Sequence, residues 1–220
     1  MSLKLDRARA FLFDLDGVLT DTSELHFKAW SQLAEELGLT FTREDNEALR
    51  GVSRRASLDL LLKGMPCSEQ QAAAWMDLKN DYYLELAEQM TPQDLLPGAL
   101  DVLWALRERG IKTAIVSSSK NARLVVERLK LGRWVDELID GNAPVPSKPA
   151  PDLFILAAQR LGLQAGECVV VEDAGAGIEA ARAGGMQCVG LGPQQRVGQA
   201  DLVCQNLVEL RSFLLIYQPV

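Results

Sequence analysis

The sequence has one histidine, four cysteines and no long hydrophobic run. Its longest unbroken apolar stretch, residues 153–158, is far short of the roughly 20 residues that a membrane helix needs. Charged residues near the start interrupt the apolar stretch that a secretory signal would require. The cysteines form no CxxC pair, which favours buried free thiols over disulfides or a zinc site. We therefore expect a cytoplasmic protein with four free thiols, at Cys67, Cys168, Cys188 and Cys204.

Basic residues are too few to give the protein a cationic surface. The 23 Lys and Arg stand against 30 Asp and Glu, which gives a net charge of −7. This balance works against contact with nucleic acid or anionic membranes. Because 48% of the residues are hydrophobic, the chain has enough apolar material for a sizeable core, and disorder is excluded. We expect a globular monomer acting on a small molecule, with a locally basic pocket if that molecule is an anion.

Short β-branched runs alternate with amphipathic helical stretches over most of the chain. The helical stretches carry apolar residues at three- and four-residue spacing. Repeated strand–helix units predict a doubly wound, Rossmann-like parallel sheet covered by helices, which is an α/β fold. The predicted strands are residues 9–16, 112–118, 137–140, 168–173 and 187–192.

Residues 21–90 are the exception, because they contain no β-branched run and their pattern is helical throughout. We predict that they form an inserted helical cap domain, and that residues 1–20 and 91–220 form the core domain. An insert placed directly after the first strand would lie over the carboxyl edge of the sheet, where open α/β sheets bind ligands. Three helix-start patterns support the helices: Asp21 to Glu24, Thr42 to Asp45 and Ser68 to Gln71.

Two polar residues interrupt apolar helical stripes in this insert. His26 shares a stripe with Trp30 and Leu33, and Lys79 shares one with Tyr83. On spacing alone, the histidine is a core or boundary residue and the lysine a stem whose charged head reaches solvent.

Four short polar motifs each fall at the carboxyl end of a predicted strand or just after it. Because the carboxyl ends of parallel strands meet at one edge of the sheet, we expect the four motifs to form one site. They are DLDGVLT (14–20), SSSKN (117–121), SKPAPD (147–152) and EDAGAGIEA (172–180).

Carboxylates dominate the first and last of these motifs. Asp14 and Asp16 are two apart on a predicted strand, so their side chains lean to the same side, and Gly17 lets the chain turn sharply after them. Close carboxylates repel unless a cation or a shared proton lies between them, and Glu172 and Asp173 add two more. Oxygen ligands without histidine or cysteine suit a hard divalent ion such as Mg²⁺.

Cationic and hydroxyl groups in the other two motifs oppose this acidic side. Lys148 precedes a proline, and residues 117–121 begin a helix, where hydroxyls and backbone N–H groups bind anions. A metal, a lysine and a helix N-terminus are the set that phosphoryl transfer requires. An aspartate then serves as the nucleophile and forms an acyl phosphate. Each motif alone is common as a helix cap or solvated charge, but all four at one edge predict phosphoryl transfer.

At these residues the sequence resembles the haloacid dehalogenase-like superfamily. The superfamily's motifs match FDLDGVLTDT, VSSSKN, SKPAPD and VVEDAGAG in order, and the resemblance covers essentially the whole chain. The superfamily's sugar phosphatases share these core motifs but match the cap less well than its sugar phosphomutases. The similar cap patterns are TDTSELHFKAW (20–30), LRGVSRRASL (49–58) and LKND (78–81).

The resemblance implies a role for each residue of the core site. Asp14 would be the nucleophile, and Asp16 the general acid and base. The Mg²⁺ ligands would be Asp14, the backbone carbonyl of Asp16, and Asp173, with Glu172 in or near the same shell. The transferring phosphoryl group would be bound by Ser117, Ser118 and Lys148.

The resemblance also implies contacts to the rest of the substrate. A second phosphate would be gripped by Arg54, Ser119, Lys120 and Asn121. His26 and Lys79 would face the site and couple cap closure to Asp16, with Thr22 at the hinge. The remaining implied substrate contacts are Trp30, Gly51, Val52, Ser53 and Ser57.

The implied reaction interconverts β-glucose 1-phosphate and glucose 6-phosphate, with glucose 1,6-bisphosphate as primer and intermediate. A Mg²⁺-dependent sugar-phosphate phosphatase using the same two aspartates is the alternative. A phospho-receiver signalling module is a remote one, because a receiver needs neither a helical insert nor a second acid two residues after the first.

Overall fold

The computed structural model describes residues 8–49 and 52–216, in which six parallel strands form one sheet. The strand order is β3-β2-β1-β4-β5-β6, the order of a doubly wound α/β sheet. The predicted α/β fold is therefore confirmed. The strands are β1 (Ala10–Phe13), β2 (Lys112–Val116), β3 (Glu137–Ile139), β4 (Cys168–Glu172), β5 (Gln187–Leu191) and β6 (Leu202–Cys204).

The strands are shorter than the sequence predicts. β1 ends at Phe13, so the placement of Asp14 and Asp16 on a strand is wrong; both lie in the loop that follows. The chain turns there at Gly17, whose φ of 84° favours glycine. The sequence pattern does not predict β6.

Helices cover both faces of the sheet. Phe11 and Phe13 pack on one face against the helices at 99–108 and 207–216, while Ala10 and Leu12 pack on the other against the helices at 152–160 and 175–183. This alternation is the period of two expected for a strand. The helices are α1 (Ser23–Glu36), α2 (Arg43–Glu47), α3 (Arg54–Leu62), α4 (Glu69–Ala87), α5 (Ala99–Glu108), α6 (Ala122–Arg128), α7 (Asp152–Arg160), α8 (Gly175–Ala183), α9 (Gln194–Val197) and α10 (Leu207–Ile216).

The first four helices lie between β1 and α5, and three of them, α1, α3 and α4, share a small core of their own. That core includes Trp30 and Leu33 of α1, Leu58 and Leu61 of α3, and Ala72 of α4. The chain enters and leaves this unit through two adjacent segments. They are joined by a hydrogen bond from the Leu96 N–H to the Leu19 carbonyl (2.9 Å) and by one from the Thr20 hydroxyl to the Asp94 carbonyl (2.7 Å).

Two of the three predicted helix starts are confirmed. Thr42 with Asp45, and Ser68 with Gln71, form capping boxes. The start at Asp21 is wrong, because α1 begins after Thr22, whose side chain caps no backbone N–H. The Thr22 hydroxyl instead donates to the Asp16 carboxylate.

The cysteines are free thiols, as expected. Cys168, Cys188 and Cys204 are buried, and Cys67 is only partly so. Within residues 8–49 and 52–216, no helix has the length and apolar character to cross a bilayer.

Candidate active site

The central strand β1 and its neighbours bring the sequence motifs to one edge of the sheet. Asp14 follows β1, Ser117 follows β2, and Glu172 and Asp173 lie at the end of β4. β1 lies between β2 and β4, so these residues are neighbours in space. Lys148 joins them from the loop that connects β3 to α7.

Lys148 is the buried cation of this edge, with only 3% of its surface exposed. Its Nζ donates to Asp14 Oδ1 at 2.7 Å, to Glu172 Oε1 at 2.5 Å and to the Val116 carbonyl at 2.9 Å. Burial alone would lower the pKa of Lys148, but the carboxylates of Asp14 and Glu172 outweigh it and raise that pKa. Lys148 therefore stays positively charged at neutral pH.

Glu172 orients Lys148, and it is not one of the residues that line the pocket between this edge of the sheet and the inserted helices. Its Oε2 accepts from the backbone N–H groups of Asp173 and Ala174, both at 3.1 Å, at the N-terminus of α8. Burial raises the pKa of Glu172 to about 8 despite the opposing effect of Lys148. The carboxylate is packed so closely that a Cβ on Gly177 would lie 1.9 Å from Oε1.

Replacing Gly177 by alanine will therefore displace the Glu172 carboxylate and break its bond with Lys148. We expect the free energy of unfolding to fall by about 1–3 kcal/mol, measured by urea denaturation. Gly175→Ala is the matched control on the same helix, since the nearest atom to its Cβ is 3.9 Å away. Equal unfolding midpoints for the two variants would contradict this account.

The acidic cluster fits a divalent cation. Asp14, Glu172 and Asp173 are all buried, and each offers one oxygen within 4.8 Å of the others. Gly17 passes so close to Asp173 that a Cβ there would lie 2.3 Å from Oδ2, so the loop needs glycine to make room for this carboxylate. Buried carboxylate oxygens without nitrogen or sulfur ligands suit Mg²⁺.

Asp16 lies beside this cluster, and its surroundings shift its pKa. Burial and the neighbouring Asp14 carboxylate raise the pKa of Asp16 to about 7, against the opposing effect of the hydrogen bond from Thr22. A carboxyl group with that pKa is present in both protonation states at neutral pH. It can therefore give and take a proton.

The inserted helices contribute a second buried cation, Lys79 of α4. Only 3% of its surface is exposed, so the interpretation that its head reaches solvent is wrong. Its Nζ lies 2.8 Å from His26 Nδ1 and 4.8–4.9 Å from the ring centres of Trp30 and Tyr83. The His26 and Tyr83 rings stack at 4.3 Å. Burial, together with Arg54, lowers the pKa of Lys79 to about 7.

The low pKa of Lys79 makes stability depend on pH. Between about pH 7 and 10.5 the unfolded chain holds the proton that the folded protein has lost, so folding stability rises with pH in this window. This pH-dependent change in the free energy of unfolding amounts to several kcal/mol, at ~1.4 kcal/mol per pKa unit. It will disappear in Lys79→Met, which has no titrating group at this position. Unfolding free energies measured from pH 6 to 10 will give a flatter curve for this variant. The exposed Lys28→Met is the control, and identical curves for the two variants would contradict the prediction.

Hydroxyls and amides from the loop after β2 line the other side of the pocket. The Ser117 hydroxyl accepts from the Ser119 N–H at 3.0 Å, and Ser147 donates to the Ser118 hydroxyl at 2.9 Å. Across the pocket, Arg54 of α3 is half-buried, and burial lowers its pKa. Arg54 faces the loop after β2 from the inserted helices, so groups from both parts of the chain meet here.

One pocket brings nearly all the predicted site residues together. Glu172 does not line it, and Gly51 lies outside the described residues. Residues that the sequence did not single out also line it, at Ser23, Asn46, Leu49, Gly141 and Ser147. The predicted residues that line it are Asp14, Asp16, Thr22, His26, Trp30, Val52, Ser53, Arg54, Ser57, Lys79, Ser117, Ser118, Ser119, Lys120, Asn121, Lys148 and Asp173.

The family model that matches residues 8–185 is that of the haloacid dehalogenase-like hydrolases, and the chain belongs to this family. It is 39% identical to a β-phosphoglucomutase of Bacillus subtilis over 94% of this chain and 93% of that one. The crystal structure of a β-phosphoglucomutase from Clostridium difficile superposes with a TM-score of 0.87 at 33% identity, covering 96% of this chain and 100% of that one. Hexitol phosphatase A of Escherichia coli is 33% identical over 93% of this chain and 94% of its own. Its relatives thus include both phosphomutases and phosphatases.

Proposed function

We propose that this protein is a β-phosphoglucomutase that interconverts β-glucose 1-phosphate and glucose 6-phosphate through a phosphorylated Asp14. One observation carries the proposal. A single pocket holds buried carboxylates and Lys148 on one side, and Arg54 with the hydroxyls and amides of residues 119–121 on the other. A sugar with phosphates at both ends suits such a pocket, because each end meets cationic or N–H donors.

In the first half-reaction, Asp14 attacks the phosphorus of a sugar bisphosphate. A bond forms between an Asp14 oxygen and phosphorus, and the bond from phosphorus to the sugar oxygen breaks. Asp16, in its protonated form, gives its proton to that leaving oxygen. In the second half-reaction Asp16 takes the proton from the other hydroxyl of a sugar monophosphate, and that oxygen accepts the phosphoryl group from Asp14.

We assign the neutralisation of negative charge on the transferring phosphoryl group to the residues around it. Ser117, Ser118 and Lys148 would bind the phosphoryl oxygens. Mg²⁺ would be held by Asp14, the Asp16 carbonyl and Asp173, with Glu172 beside them. When bound, it would supply positive charge that offsets the charge developing on the phosphoryl oxygens.

The remaining pocket residues are assigned to the sugar and its second phosphate. Arg54, Ser119, Lys120 and Asn121 would hold that phosphate. His26, Trp30 and Lys79 would line the sugar's side of the cavity, together with Val52, Ser53 and Ser57. Because the substrate presents either phosphate to Asp14 in turn, both ends of the cavity must accept the same anion.

Residues 21–90 are assigned to a cap domain that closes over the core, with Thr22 at the hinge. A phosphate held by Arg54 from the cap and by residues 119–121 from the core binds the closed form better than the open one, and so favours closure. A closed cap excludes the water that would otherwise hydrolyse the phosphorylated aspartate. The helical insert and the family membership favour this enzyme over a phospho-receiver.

The test supplies the protein with Mg²⁺, β-glucose 1-phosphate and a trace of glucose 1,6-bisphosphate. Glucose 6-phosphate and free phosphate are then followed together. Rapid formation of glucose 6-phosphate with little free phosphate is expected. Release of free phosphate as the main product would overturn the proposal and make the protein a sugar-phosphate phosphatase.

A further inference from the structure

Asn80 of α4 joins the inserted helices to the core through one oxygen atom. Its Oδ1 accepts a hydrogen bond from Arg54 Nη2 at 2.8 Å and another from Asn121 Nδ2 at 2.7 Å. Arg54 is the first residue of α3, whereas Asn121 directly precedes α6 beside the sheet. One amide therefore brings two donors from opposite sides of the pocket to a common point.

Asn80 is also adjacent to Lys79, which contacts His26 in the same pocket. Consecutive residues of α4 thus serve two different sides of the cavity. The first meets the histidine of α1, and the second meets the arginine of α3. A displacement of α4 would shift both contacts at once.

The charge of the acceptor distinguishes Arg54 from the arginine next to it. Arg55 is bound by two carboxylates, with Nε 3.1 Å from Asp59 and Nη1 2.7 Å from Glu69, so its charge is balanced. Arg54 is half-buried and donates to a neutral amide, while the Asp77 carboxylate acts on it electrostatically but forms no ion pair with it among the described residues. A neutral acceptor fixes the direction of the guanidinium without cancelling its charge, which leaves that charge to attract an anion.

We infer that Asn80 is a positioning residue for the second phosphate of the substrate: it aligns the Arg54 guanidinium with the Asn121 amide and keeps the arginine's charge available. This inference rests on the proposed function for the identity of the ligand. An aspartate at this position would keep the shape and both hydrogen bonds, but it would pair with Arg54 and repel the phosphate. An alanine would remove the bridge altogether.

The test compares Asn80→Ala, Asn80→Asp and wild type in two reactions. The first is isomerisation at increasing glucose 1,6-bisphosphate, which carries a second phosphate. The second is hydrolysis of acetyl phosphate, which carries none. Asp81→Ala is the control, since it alters an exposed carboxylate on the same helix.

We expect the half-saturating bisphosphate concentration to rise about tenfold or more in Asn80→Ala, and further in Asn80→Asp, while acetyl phosphate hydrolysis stays within about twofold of wild type. The control should match wild type in both reactions. Wild-type half-saturation in Asn80→Asp would overturn the inference. So would equal losses in the two reactions, because these would indicate a general structural role.

The inference and the proposed function fail separately. If the wild-type protein does not isomerise glucose phosphates, the proposed function is wrong, and binding of glucose 6-phosphate measured by calorimetry replaces the first reaction. Weaker binding by Asn80→Asp than by wild type would still support the role of Asn80. Equal binding by both would overturn that role.

Discussion

Replacing Asp14 by asparagine will abolish phosphoryl transfer, whether the final acceptor is a sugar or water. The amide has nearly the size of the carboxylate, but it is not a nucleophile toward phosphorus. We expect the rates of glucose 6-phosphate formation and of acetyl phosphate hydrolysis to fall by a factor on the order of 10⁴ or more. Under the proposed function both rates depend on the same acyl phosphate, so they should fall together.

The matched control for this variant is Asp140→Asn. Asp140 is another buried carboxylate, 8% exposed, and it follows the neighbouring strand β3. It does not line the pocket within the described part of the chain. Activity within a few-fold of wild type is expected for the control. Substantial hydrolysis of acetyl phosphate by Asp14→Asn would mean that another residue carries the phosphoryl group.

Replacing Asp16 by asparagine will separate the two kinds of phosphoryl donor. Loss of the acid and base should slow transfer to and from a sugar hydroxyl by about 10²–10⁴-fold, because the sugar oxygen needs a proton to leave. Acetate is a weak base and leaves without one. In Asp16→Asn, acetyl phosphate should therefore still phosphorylate Asp14. Incorporation of a radioactive label measures this reaction.

Asp21→Asn controls for the loss of a nearby negative charge. Asp21 is exposed and accepts a hydrogen bond from the Ser23 N–H at 2.9 Å, which an asparagine also accepts. We expect both reactions of this control to match wild type. Equal loss of sugar-dependent and acetyl-phosphate-dependent activity in Asp16→Asn would show that the residue supports the site in some other way.

The fold and the core of the site could be predicted because they depend on short-range patterns. Strand periodicity identified five of the six strands, and the rule that ligands bind at the carboxyl edge of an open α/β sheet placed the motifs together. Helical spacing also identified buried faces correctly. For example, Ala122, Val125 and Leu129 are all buried in the structure.

The remaining features depend on contacts between distant parts of the chain. The sequence pattern predicts a helix start at Asp21, but the helix begins after Thr22, whose hydroxyl donates to the Asp16 carboxylate. Asn80 lies in the segment LKND that resembles the family's cap, yet its two partners come from α3 and from the loop before α6. An asparagine within a helix gives no local signal of such a bridge.

For Lys79, too, the local sequence pattern is not enough to predict the contacts of the side chain. A lysine in an apolar stripe usually carries its charged end to solvent, and spacing alone favoured that interpretation. The side chain is instead enclosed by His26, Trp30 and Tyr83. Only the resemblance of the cap segments pointed toward the pocket.

The position of the helical insert has a consequence for how the chain folds. β1 pairs with β2 and β4, so Ala10 must meet Lys112 and Cys168, which are far away in the sequence. During synthesis, β2 and β4 leave the ribosome only after all four inserted helices have left it. Helices with local contacts form quickly, whereas long-range strand pairing is slow because loop closure costs entropy. The insert should therefore fold before the sheet, and β1, which leads into the loop of Asp14, should stay unpaired at least until β2 has been synthesised.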